Sequence, residues 1–209
     1  MKPGELALAK VPEAEPPKQT ESAEINKEKA QSVLMAGYRG VNIFNPDRHA
    51  LELIEEASSD LGSRFFIRIR EEMGLAYFVG ATQMQGLAPG LFAFYLGTDP
   101  QKVEPVKAAL LDEINKLASD GLTNEELARA KKKTIGSQQI AHQSNDTFGY
   151  QCALDELYGL GFDHYKALEH DVEGVTLDEI KRVAAKYFRD QPYVLATVRP
   201  SPAPATKDK

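Results

Sequence analysis

Apolar positions along this chain change period several times, and each change marks a predicted element. Residues 31–41 carry Val33, Leu34, Met35 and Tyr38 between glycines and read as a buried strand. Asn45-Pro46 reads as a helix cap followed by Pro at the first helical position. Ala50, Leu53, Ile54 and Ala57 then fall on one helical face, until Ser58-Ser59-Asp60-Leu61-Gly62 breaks the pattern. A shorter helix is predicted over about 63–73, closed by Gly74 as a left-handed cap. Residues 77–84 and 91–96 read as strands joined by a Gly- and Pro-containing turn, hence a hairpin.

Asp99-Pro100 opens a helix whose stripe is Val103, Val106, Leu110, Ile114 and Leu117, stopped by Gly121. Thr123 and Glu126 form a capping box for a long helical stretch to about residue 158, broken near 144–146 and ended by Gly159 and Gly161. A short helix is expected over 164–170. Thr176 and Glu179 make a second box before the stripe Ile180, Val183, Ala184, Tyr187 and Phe188. Pro192 ends that helix, and 193–198 is a final strand. A hairpin with helices in blocks predicts an α+β fold: one mostly antiparallel sheet with helices packed on one face.

The ends differ from the middle. Residues 1–30 hold four Pro, eleven charges and no aromatic residue, too little apolar surface for a core. We expect a flexible linker or arm over 1–19, with 20–25 as an edge strand, a domain over 20–199 and a flexible tail over 200–209. The 209 residues suit one domain of this kind, and linkers at both ends suggest a piece of something larger.

Charge and motifs then exclude several classes. A net charge of −6 removes the electrostatic case for nucleic acid, and Lys131-Lys132-Lys133 reads as a solvated helix face. No apolar run approaches the roughly 20 residues of a membrane span. The single Cys152 rules out an intramolecular disulfide and a multi-thiolate zinc cage. Neither a P-loop nor G-x-S-x-G is present. None of His49, His142, His164 and His170 lies in H-E-x-x-H or H-x-x-E-H. The neighbours Glu55-Glu56 and Glu71-Glu72 do not face each other on a helix, so neither pair is an acid/base couple.

One segment carries more information. Arg70 lies in the last turn of the predicted 63–73 helix, and Tyr77 starts the strand beyond the Gly74 turn. An Arg offers a permanent set of N–H donors and a Tyr a neutral O–H donor. Together they can hold a peptide carbonyl and then the oxyanion formed when water attacks it. Spacing alone favours the plainer reading, an Arg complementing a helix dipole and a Tyr packing at a strand end.

The segment nevertheless resembles the C-terminal half of the inverted-zincin peptidases, the family of pitrilysin, insulin-degrading enzyme and the mitochondrial processing peptidase. Ser63-Arg64-Phe65-Phe66 and Arg70-x-x-x-Gly74-Leu75-Ala76-Tyr77 are close to that family's pattern. Leu122-Thr123-Asn124-Glu125-Glu126-Leu127, Tyr158-Gly159 and Thr176-Leu177-Asp178-Glu179-Ile180 resemble later family segments, extending the likeness over about 20–199.

The resemblance implies two similar halves around a chamber. One half carries H-x-x-E-H and zinc, and the other lacks the metal and supplies an Arg/Tyr pair. By position, Arg70 and Tyr77 are that pair. H-x-x-E-H is missing here, so the chain is expected to bind no catalytic zinc and to cleave nothing by itself. The implied partner is a catalytic half, upstream in one parent chain or in a separate subunit of a homo- or heterodimer, acting on a peptide substrate. A scaffold subunit of the same fold without peptidase activity is the alternative. One Cys and a non-apolar start are compatible with bacterial cytoplasm or periplasm.

Overall fold

A computed structural model describes residues 15–201. Its centre is a five-stranded sheet in the order β1-β5-β2-β4-β3. β2 (Ser32–Arg39) pairs antiparallel with both β4 (Leu91–Thr98) and β5 (Val194–Pro200). β3 (Phe78–Met84) completes the hairpin with β4, and β1 (Glu21–Lys27) lies parallel to β5. Side chains alternate across a strand. Leu34, Ala36 and Tyr38 of β2, and Phe92, Phe94 and Leu96 of β4, therefore enter one core. All seven residues of β1 are exposed, so main-chain pairing to β5 rather than burial holds this edge.

The helices supply the other wall of that core. α1 (Arg48–Ser59) buries Ala50, Leu51, Leu53, Ile54 and Ala57. α2 (Val103–Asp120) buries Val103, Val106, Leu110, Ile114 and Leu117, and α6 (Leu177–Phe188) buries Ile180, Val183, Ala184 and Phe188. Phe94 and Phe188 meet edge to face with centroids 5.3 Å apart, and Phe65 stacks on Phe94 at 5.2 Å. α3 (Asn124–Ala141) begins at the Thr123–Glu126 capping box, and both of its reciprocal bonds are made. α4 (Asn145–Leu157), capped by Ser144, buries no residue and lies outermost. The α+β reading, with helices on one face of a mostly antiparallel sheet, is the fold observed.

Local details depart from the sequence reading. Asn45 does not cap α1 directly. Its Oδ1 accepts from the Asp47 amide at 2.9 Å, and the helix starts at Arg48. This Asx turn frees the Asp47 carboxylate for partners on α6. The short helix expected over 164–170 divides into a 3-10 turn, His164–Lys166, and α5 (Leu168–Gly174). β5 runs on to Pro200, whose strand partner is Lys27. Of the expected linker, residues 1–14 lie outside the described residues, as do 202–209 of the tail.

Candidate functional site

The segment carrying Arg70 and Tyr77 is built from local interactions that its sequence pattern encodes. Ser63 is fully buried, and its Oγ accepts from the Phe66 amide at 3.1 Å, opening the helix. Arg64 reaches away from that start. Its Nε donates to Glu126 Oε1 at 2.8 Å, a second nitrogen bonds Glu126 Oε2, and the same nitrogen donates to the Gly121 carbonyl at 2.9 Å. Burial alone would raise the Glu126 carboxyl. The Arg64 guanidinium and the Thr123 amide outweigh it and hold the group below the usual carboxylate range. Ser63 thus caps the segment's helix and Arg64 anchors it to the α2–α3 junction.

The predicted 63–73 helix is a π-helix over Phe66–Glu72. Its wider turn comes from bonds between residues five apart, a geometry often found at functional sites. Phe65 and Ile69 are buried and Phe66 is half-buried against the core, while Arg70 is exposed, with its guanidinium carbon 4.8 Å from the Phe66 ring centroid. Gly74 then turns the chain with φ of 60°, a conformation that costs residues with a Cβ. The Leu75 amide reaches back to the Ile69 carbonyl at 2.9 Å and closes the helix end.

The turn is also held from outside. Buried Thr98, at the end of β4, donates from Oγ1 to the Leu75 carbonyl at 2.5 Å, and Lys102 Nζ donates to the Gly74 carbonyl at 3.1 Å. The Tyr77 amide donates to the Gly97 carbonyl at 2.8 Å, which docks the strand start on β4. Gly97 has no side chain for a reason: a Cβ there would collide with the Phe78 ring.

Arg70 and Tyr77 therefore stand on either side of one pinned turn, at the sheet end where β4 finishes. Both are exposed, Tyr77 by half of its surface. Among the described residues, neither side chain makes a hydrogen bond or ion pair, and they do not bond each other. The nearby cation Arg68 is engaged by Glu72 at 2.9 Å. A cleft of about 360 Å³ opens at the other end of the sheet, lined by Arg39, Asn42, Asn45 and Lys186, and does not include the pair.

The residues do not fit a zinc site. His49 and Glu52 have the spacing of the first His and the Glu of H-x-x-E-H, and His49 Nδ1 lies 2.8 Å from Glu52 Oε2. The place of the second His belongs to Leu53, fully buried in the core. Among the described residues no group of three or more His, Cys, Asp or Glu could hold a metal ion. This partial motif is visible in the sequence, but Leu53 cannot ligate a metal. No helix of the described residues is long and apolar enough to cross a membrane.

Fold and site together define an α+β domain in which no group of described residues could hold a metal ion. The family model described as the peptidase M16 inactive domain matches residues 3–134, and the chain belongs to that family. Its relatives include the uncharacterized zinc protease YmxG of Bacillus subtilis, 26% identical over 186 residues, which cover 87% of this chain and 44% of that protein. An uncharacterized zinc protease of Rickettsia bellii is 32% identical over 121 residues, 57% of this chain and 29% of that protein. The solved peptidase M16 inactive domain from Pseudomonas fluorescens superposes with a TM-score of 0.84 at 24% identity, over 94% of this chain and 47% of that one. The chain thus spans less than half the length of these relatives.

Proposed function

We propose that this chain is the substrate-binding, non-zinc half of a zinc metallopeptidase that hydrolyses peptide bonds. The domain over 20–199 would sit against a catalytic half carrying H-x-x-E-H, in the same parent chain or a separate subunit. Arg70 and Tyr77 then face the peptide. The observation that carries this reading is the pair itself: two exposed side chains, their donors unspent among the described residues, on a turn pinned by Thr98 and Lys102. A residue that serves only packing does not need free donors on a fixed mount.

The partner half would hold the zinc, whose chemistry would be to activate water and polarise a carbonyl. This chain's part is to bind the peptide backbone and to stabilise the negative charge that develops on the carbonyl oxygen. Arg70 contributes a fixed positive charge and N–H donors, and Tyr77 a neutral O–H donor. The donors are already placed before reaction, so little reorganisation is needed as charge develops. By itself the chain cleaves nothing.

The test is steady-state peptide hydrolysis by the parent protein, or by the complex with its catalytic half. Arg70→Ala should cost about 2–4 kcal/mol of transition-state stabilisation, the size of a lost oxyanion donor. Tyr77→Phe should keep the fold and lose activity. Wild-type kinetics in both variants would remove the pair from the mechanism and favour the scaffold role.

A further inference from the structure

The Arg70 side chain is held by an aromatic ring rather than by an acid. Its guanidinium carbon lies 4.8 Å from the Phe66 ring centroid, and among the described residues it has no ion pair or hydrogen bond. The neighbouring cation shows the contrast. Arg68, two residues earlier, is tied to Glu72 at 2.9 Å. Both contacts span four residues, yet one engages an acid and the other a ring. An acid would neutralise Arg70 and occupy the donors that a carbonyl oxygen needs. A ring face attracts the cation through its quadrupole and takes no part as an oxygen acceptor, so the charge and the N–H donors remain available.

Phe66 is suited to be a rigid support. It packs against the core between buried Phe65 and the rest of the segment, and its amide is fixed by Ser63 Oγ at 3.1 Å. An aromatic ring has only two side-chain torsions, whereas Arg70 has a long stem that an exposed position leaves free to wander. Four residues apart, the two lie on one face of the helix, with Ile69 buried beside them.

We infer that Phe66 is a positioning residue for Arg70, holding the guanidinium by a cation–π contact that orients it without consuming its donors. The role of Arg70 rests on the proposed function above, but the Phe66–Arg70 contact does not. Phe66 touches no substrate. It acts through Arg70 by narrowing the arginine's conformations before the peptide arrives.

Two readouts separate these levels. In isotopically labelled chain, the Arg70 δ-methylene and Nε–H resonances should carry a ring-current shift. Phe66→Leu should abolish that shift and Phe66→Tyr should retain it. In the parent protein or its complex, Phe66→Leu should lower kcat by about fivefold to a hundredfold with a smaller change in KM, the range between a lost exposed cation–π contact and a misplaced catalytic group. Phe66→Tyr, which keeps the aromatic face, should hold the rate to within about twofold, and the ring-current shift on Arg70 distinguishes the cation–π contact from a packing effect. Random-coil Arg70 shifts in the wild-type chain would overturn the inference, and that measurement stands even if the Leu variant fails to fold. So would a Leu variant with wild-type kcat where Arg70→Ala is impaired. A normal rate in Arg70→Ala combined with an intact ring-current shift would instead refute the catalytic reading and leave the contact standing without a positioning role.

Discussion

Substituting Asp47 by Asn tests how the N-terminus of α1 is tied to α6. The Asp47 side chain is 3% exposed and accepts from Arg182 at 2.7 Å, Lys186 at 2.6 Å and the Tyr187 hydroxyl at 2.9 Å. Burial pushes the carboxyl up, and the three donors outweigh it, lowering it from 3.8 to about 2. That difference corresponds to about 2.4 kcal/mol between the ionised and protonated forms. The folded value lies below the unfolded one, so the stabilisation is fully present above pH 3.8 and is lost as pH falls through about 2. Arg182 and Lys186 are 52% and 54% exposed, so water solvates them when the carboxylate is gone. The penalty should therefore stay near the linkage value, below the ~3–5 kcal/mol of a stranded buried charge. Urea unfolding at pH 7 should show Asp47→Asn less stable by about 2–3 kcal/mol. The gap to wild type should then shrink as pH approaches 2. A gap that stays constant across this range, or none at pH 7, would refute the electrostatic account.

Three further outcomes follow from other contacts. Arg64→Met should destabilise the chain by about 3 kcal/mol, because it leaves the half-paired Glu126 carboxylate buried. Adding Glu126→Gln should recover part of that loss, and a double-mutant cycle with no coupling would contradict it. Ser59 Oγ accepts from the Ala81 amide at 3.0 Å and donates to the Ala81 carbonyl at 2.9 Å, covering the outer edge of β3. Ser59→Ala should cost about 1–2 kcal/mol and speed hydrogen exchange at Ala81, with unchanged exchange showing that the edge needs no cover. Purified chain equilibrated with zinc and dialysed should retain well under one equivalent by elemental analysis. Stoichiometric retention would reveal a site missed by the Leu53 argument.

Part of the candidate site's structure was legible and part was not, and the division follows the range of the interactions. The local frame of Arg70 and Tyr77 was legible as a helix end, a Gly turn and a strand start, and the resemblance to the family pattern singled the pair out. The roles of Ser63, Arg64 and Phe66 were not legible. Arg64 is defined by Glu126, and Phe66 by the arginine that lies over its ring. The signal for the second was present as Phe and Arg four residues apart, a spacing that places two side chains on one helix face, but it does not by itself say that the arginine lacks an acidic partner.

By itself, the sequence determined what short-range chemistry can write. The buried stripes of α1, α2 and α6 follow from helical period, the start of α3 from a capping box, and the Gly74 turn from a residue without a Cβ. Tertiary structure alone decided the sheet order, in which the last strand enters between the first two. It also chose the π-turn over the α-turn, with Phe65 and Ile69 both in the core, and it turned Asp47 toward α6. Period and caps depend on neighbours within a turn or two. Strand order, helix type and ion pairing depend on partners dozens of residues away, which exist only once the core has closed.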